Sequence, residues 1–160
     1  MDKKYIMTDE TIQHGWRRLY RIKALRDIEN GGEIIAHKDD LGGYIESEFN
    51  LAQDGEAWVC DNAKVYDNAK VYGNAWVYDN AEVYGNAEVY GGAWVYGNAA
   101  VYDNAKVCGG AEVCGAAGIY GDAELYGGAR VIDYARVYGN AKVYGDEKVY
   151  GNTRVYGDNV

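Results

Sequence analysis

No stretch of the sequence holds the roughly 18–20 consecutive apolar residues of a membrane-spanning helix. The start of the chain, Met1 to Tyr20, lacks the apolar core of a secretion signal, so the expectation is a cytoplasmic protein. Histidine is scarce, with only His14 and His37. Cysteine is scarce too: Cys60, Cys108 and Cys114 form no Cys-x-x-Cys pair, which speaks against a metal site. Proline is absent, and Phe49 stands alone beside 17 tyrosines and 4 tryptophans. Positive charge is in deficit, since 16 Lys and Arg meet 25 Asp and Glu for a net charge of −9. That balance disfavours direct contact with nucleic acid or an anionic membrane. The mean hydropathy is −0.44, yet 48% of the residues are hydrophobic, too many for a disordered chain.

What the chain has instead is a repeat. From Ala57 to Asp158 a hexad of the form Ala-x-Val-Tyr-Gly-Asn recurs 17 times without insertion or deletion. Position one is Ala except at Glu147 and Thr153, and position three is Val except at Ile119 and Leu125. Position four is Tyr except at Cys60, Cys108, Cys114 and Ile132, and position five is always Gly or Asp. Strand alternation turns positions one and three inward and position two outward. Gly or Asp followed by Asn then turns a corner, because these residues accept left-handed backbone. Only Ala and a small aliphatic residue face in, so the interior is narrow. A short fixed period marks a solenoid whose units bury their apolar side on their neighbours. An amphipathic helix is excluded, because a period of six steps the valines by about 600° around its surface.

The pattern Val-x-(Gly/Asp)-Asn-Ala-x resembles the hexapeptide repeat of left-handed parallel β-helices over residues 57–158. The resemblance implies an all-β fold with three hexads per triangular coil, and the left-handed sense rests on it alone. Tyr stands where that family often has Gly after the aliphatic residue. Residues 18 apart should then stack, and the outward residues arrange themselves accordingly. One column reads Trp58, Trp76, Trp94, Glu112, Arg130, Lys148, and a second reads Lys64, Glu82, Ala100, Gly118, Arg136, Arg154. The third, Lys70, Glu88, Lys106, Glu124, Lys142, alternates strictly in sign. A Trp stack and a charge ladder at one period are what cross-strand pairing favours.

Residues 1–40 follow other rules and are expected to form a head: a hairpin, with a short helix admitted around Ile22–Ile28. Residues 41–160 are the β-helix, with 41–56 an irregular first coil because Ile45, Leu51 and Ala57 are already spaced by six. A solenoid needs a cap over its end coil, and the head supplies one. Head and body together also resemble hexapeptide-repeat proteins common in bacteriophage and prophage genomes. That implies action in an infected bacterial cytoplasm or on a virion.

Enzymes of the hexapeptide family are mostly acyltransferases that use a His base, and one class binds zinc through His. Here no His falls in the 17 hexads and no loop interrupts them. The expectation is therefore a non-enzymatic protein with no cofactor and no metal. An acyltransferase and a structural or assembly component of a virion are the alternatives. The leading reading is a protein-binding module, an inhibitor or decoy acting on a host protein or defence complex. Its anchors would be Trp58, Trp76, Trp94, Tyr78 and Tyr96, with Glu82 and Glu88 as acids. An acidic rod also imitates the charge of DNA, which makes a nucleic-acid-binding host protein one form of that partner. Val149, Val155 and Tyr156 lie in a last coil with no cap, and self-association into a homodimer is expected there.

Overall fold

Short strands joined by left-handed corners wind into a parallel β-solenoid in the computed structural model, which describes residues 2–157. Each hexad supplies one short strand, from β6 (Trp58–Val59) to β22 (Arg154–Gly157). From Asp61 to Gly151 every position-five residue has φ between 57 and 69°. This is the left-handed region that Gly enters freely and Asp tolerates. Trp58 pairs in parallel with Trp76, Trp76 with Trp94 and Trp94 with Glu112, so one coil is 18 residues, as the columns require. Three sheets make three faces. The first runs through every third strand from β7 (Lys64–Val65) to β22, the second from β8 (Lys70–Val71) to β20 (Lys142–Val143), and the third from β6 to β21 (Lys148–Val149).

The core is the inward half of the repeat. Ala and Val, with Ile119 and Leu125, are at most 1% exposed from Ala57 to Val137. The corners hold themselves together through backbone and acid. Each of the five position-five aspartates accepts the N–H of its counterpart one coil on: Asp61 from Asp79, Asp67 from Gly85, Asp79 from Gly97, Asp103 from Gly121 and Asp133 from Gly151. At the adjoining corner position, Asn68, Asn86, Asn104 and Asp122 form a relay in which each amide donates to the next side-chain oxygen.

Among its described residues the head is a hairpin, and no helix forms around Ile22–Ile28. Strands β1 (Tyr5–His14) and β2 (Arg17–Ala24) pair antiparallel with a shift of register between Met7 and Thr11. A bend, not a helix, joins β2 to β3 (Ile28–Asn30), which pairs with β4 (Glu33–Ala36). The reason is local hydrogen bonding. Ala24 donates to Asp40 O at 2.9 Å and accepts from Asp39 N at 2.8 Å, so the backbone there pairs sideways, not along itself. Strand β2 also pairs antiparallel with β5 (Leu41–Ile45), and β5 pairs parallel with β7. The head thus extends the first face into a nine-stranded sheet. Tyr5, Ile22, Ala24, Ile28 and Ala36 join the coils in one continuous core.

The irregular first coil differs from its expected register. Ile45 faces Val65 and Leu51 faces Val71, both 20 residues on, not 18. Two extra residues sit between Ala52 and Glu56, so Ala57 takes the Ala position of its own hexad and does not continue the row of Ile45 and Leu51. The insertion has a structural use. Gln53 Oε1 accepts Lys4 N at 2.7 Å and Tyr5 N at 3.2 Å, and Gln53 Nε2 donates to Tyr5 O. The bulge therefore pins the start of β1 to the solenoid. No α-helix occurs among the described residues, and no helix is long and apolar enough to cross a membrane. Asp158, the last residue of the repeat, together with Asn159 and Val160, lies outside the described residues.

Candidate functional site

Trp76 and Trp94 stand half-buried on the third face, their indoles meeting edge-on at 5.6 Å between centroids. Tyr78 and Tyr96 stack beside them at 4.8 Å, and the Trp76 ring lies 4.2 Å from Tyr78. Trp76 Nε1 donates to Cys60 Sγ at 3.1 Å. Burial, against that donated bond, pushes the Cys60 thiol up to about 12, so it is protonated and poorly nucleophilic. These contacts lock four aromatic rings into one rigid patch.

Trp58 does not belong to that patch, contrary to the sequence reading. It is completely buried. Tyr5 from the head packs edge-on against it at 6.4 Å, and Gly42 approaches so closely that a Cβ would meet the indole at 2.8 Å. The head covers the first rung of the Trp column, so Trp58 is core. Glu82 and Glu88 are also separated from the tryptophans. Glu82 stands on the first face and Glu88 on the second, each in register with its own column. The acid that shares the Trp face is Glu112, next in line after Trp94. The 18-residue column already carried that signal.

A recurring acid–phenol pair appears on all three faces. Tyr66 donates to Glu82 Oε1 at 2.7 Å, Tyr72 to Glu88 Oε1 at 2.8 Å and Tyr96 to Glu112 Oε1 at 3.0 Å. Each pair joins position four of one coil to position two of the next. Burial, and the hydrogen bond to a carboxylate, push the phenols of Tyr66 and Tyr72 far above their usual range. Burial does the same at Tyr96, where bonds to Cys114 and Glu112 add to it. These phenols stay protonated and orient their carboxylates.

One of the three pairs is occupied by the chain itself. His14 Nε2 lies 3.1 Å from Glu82 Oε1 and 3.4 Å from the Tyr66 hydroxyl, with its ring edge-on to Tyr66 at 5.1 Å. Arg17 reaches over the Tyr66 ring at 5.0 Å and forms an ion pair with Asp67. Leu19, Tyr44 and Tyr66 make a small second core under this hairpin tip. Trp16, at the turn, is 77% exposed and carries the Arg17 guanidinium 4.3 Å from its ring. Sequence reading passed over Trp16, because nothing local marks the tip of a hairpin as its most exposed aromatic.

The self-association residues lie in the last coil. Val149 faces inward at 7% exposure, Val155 is half-buried against the core and Tyr156 is 62% exposed. Its ring tilts 50° from Tyr138, whereas the four lower pairs of that ladder stack within 2–7°. Among the described residues no group of three or more His, Cys, Asp or Glu side chains is placed to hold a metal ion.

Residues 63–79 match the YdcK beta solenoid repeat. The YdcK-type segment is about one coil and includes Tyr66, Tyr72, Trp76 and Tyr78, so the similarity covers a part of each face. No curated protein matches the chain.

Proposed function

We propose that the chain is a non-enzymatic protein-binding solenoid. The observation that carries this reading is the rigid patch of Trp76, Tyr78, Trp94 and Tyr96 with Glu112 at its border, half-exposed on a flat β face. Aromatic side chains fixed in place lose little entropy on binding and dominate interface energies. On the resemblance to phage and prophage hexapeptide proteins, the partner is a host protein of an infected bacterial cell, and the coil takes the left-handed sense of that family. The last coil is a weaker candidate for a two-fold contact between copies, because Lys142, Lys148 and Arg154 all stand outward on it and would face their own kind.

The test is capture of bacterial proteins by the immobilised chain, read by mass spectrometry. Trp94→Ser should remove the captured partner while leaving circular dichroism and melting nearly unchanged. Replacing Lys70, Lys106 and Lys142 by Ser on the second face should leave capture intact. Capture at full strength by the Trp94 variant would move the site away from this face.

A further inference from the structure

The Tyr66–Glu82 pair and the Tyr96–Glu112 pair are the same structural unit used twice. They are 30 residues apart, five hexads, so each occupies the same hexad positions on a different face. Their phenol-to-carboxylate distances are 2.7 and 3.0 Å. Each phenol stacks on a neighbouring Tyr of its ladder, Tyr66 on Tyr84 at 5.0 Å and Tyr96 on Tyr78 at 4.8 Å. Each carboxylate has one basic neighbour in its column, Lys64 beside Glu82 and Arg130 beside Glu112. The two neighbours engage it differently. Lys64 Nζ donates instead to Asn62 O, whereas Arg130 Nε forms a loose ion pair with Glu112 at 3.7 Å on a half-exposed side chain.

What differs is the occupant. The first unit is taken by the hairpin tip, whose imidazole sits on the acid and whose guanidinium lies over the phenol ring. The second unit has only Arg130 near its acid, and it adds an indole, since Trp94 is the in-register neighbour of Glu112. Asp79, whose carboxylate accepts Gly97 N at 3.0 Å, contributes a second negative charge beside Tyr96. The third unit differs in composition: Glu88 has a lysine on each side in its column, Lys70 and Lys106, and no indole beside it.

We infer that the Trp94–Glu112 face receives a basic, extended segment of its protein partner, as Glu82 receives the chain's own His14–Arg17 tip. The inference rests on the binding reading above and specifies the partner's chemistry. An imidazole or guanidinium would bond the carboxylate that Tyr96 orients, and a neighbouring apolar or aromatic side chain would cover Trp94. A charge-assisted bond to an oriented acid is the strong kind of hydrogen bond. Indole faces attract cations as well. The two contacts favour the same partner.

The probe is a fluorescein-labelled peptide copying residues 11–20 of the chain, titrated into the full-length protein and followed by anisotropy. The wild type should bind saturably and more weakly as salt rises. Glu112→Gln and Trp94→Ser should each weaken binding roughly tenfold, while Glu88→Gln should not. A peptide with its His and both Arg replaced by Glu should not bind. Glu82→Gln separates the sites: if binding is lost in that variant and kept in Glu112→Gln, the peptide has merely displaced the native tip, and the inference fails. Absence of saturable binding by the basic peptide, or equal binding of the acidic one, also overturns it. Failure of the broader reading looks different. Lysate capture that depends on Trp94 but ignores Glu112→Gln leaves a binding protein whose partner is not basic.

Discussion

The carboxylate of Asp103 accepts the N–H of Gly121, one coil above, at 3.0 Å. Asp103 itself sits at φ 58°. It therefore satisfies two demands of the corner, a left-handed backbone and a partner for an amide that the adjacent coil leaves facing it. Asp103→Ala loses both, and should destabilise the solenoid by about 1–2 kcal/mol in urea melting. Asp103→Gly keeps the backbone freedom and should cost less than Asp103→Ala. Equal costs for the two variants would show that the hydrogen bond alone matters.

Trp58 and Trp94 occupy the same position of the hexad but should respond oppositely to truncation. Trp58 is enclosed by Tyr5 and Gly42, so Trp58→Ala leaves a cavity at the cap and should cost about 3–5 kcal/mol. Its Nε1 is buried without a hydrogen-bond partner. Trp58→Phe removes that unpaired donor and should cost far less than the Ala change. Differential scanning calorimetry of the two variants decides it. A Phe variant as unstable as the Ala variant would mean that ring volume outweighs the unpaired N–H.

Inside and outside can be tested by charge. Val95 is fully buried between alanines and valines, so Val95→Asp places an unpaired carboxylate in an apolar core and should unfold the coils around it. Glu124 forms an exposed pair with Lys142 at 3.5 Å. Among the described residues this is the one ion pair within its alternating column, and Glu124→Gln should cost no more than about 1 kcal/mol. Similar losses of circular dichroism in the two variants would refute the assignment of faces.

Lys4 makes head docking depend on alkaline pH. Its ammonium is buried and donates to Ala57 O at 2.6 Å. Burial, then the nearby Arg26, lowers its pKa from 10.5 to about 8, against the pull of Glu56 and Asp54. Below pH 8 folded and unfolded chains both carry the proton, and the folded state bears the full cost of a buried charge. Between 8 and 10.5 only the unfolded chain holds it, so this group's contribution to stability rises with pH. The Cys60 thiol and the phenols of Tyr78 and Tyr90, each pushed up to about 12, act in the opposite sense once their unfolded counterparts ionise. The measurement is therefore the difference in urea midpoint between the wild type and Lys4→Met from about pH 7 to about pH 10. It should move in favour of the wild type as pH rises, and a constant difference would refute the buried-charge account.

The repeat by itself determined the solenoid, the 18-residue coil, the inward rows and the outward columns. Each follows from alternation along a strand and from Gly or Asp at a corner, which are properties of neighbouring residues. Only the tertiary structure decided which outward residues remain at the surface. Trp58 and Trp94 read identically in sequence, yet one lies beneath the cap. Tyr66 is 6% exposed under the hairpin tip while Tyr144, in the same hexad position, is 52% exposed. The contacts responsible join residues far apart, His14 to Glu82 across 68 positions and Gln53 to Tyr5 across 48. No local pattern encodes where a hairpin folds down, because that is fixed by a two-residue insertion in the first coil and by the one sheet that head and solenoid share.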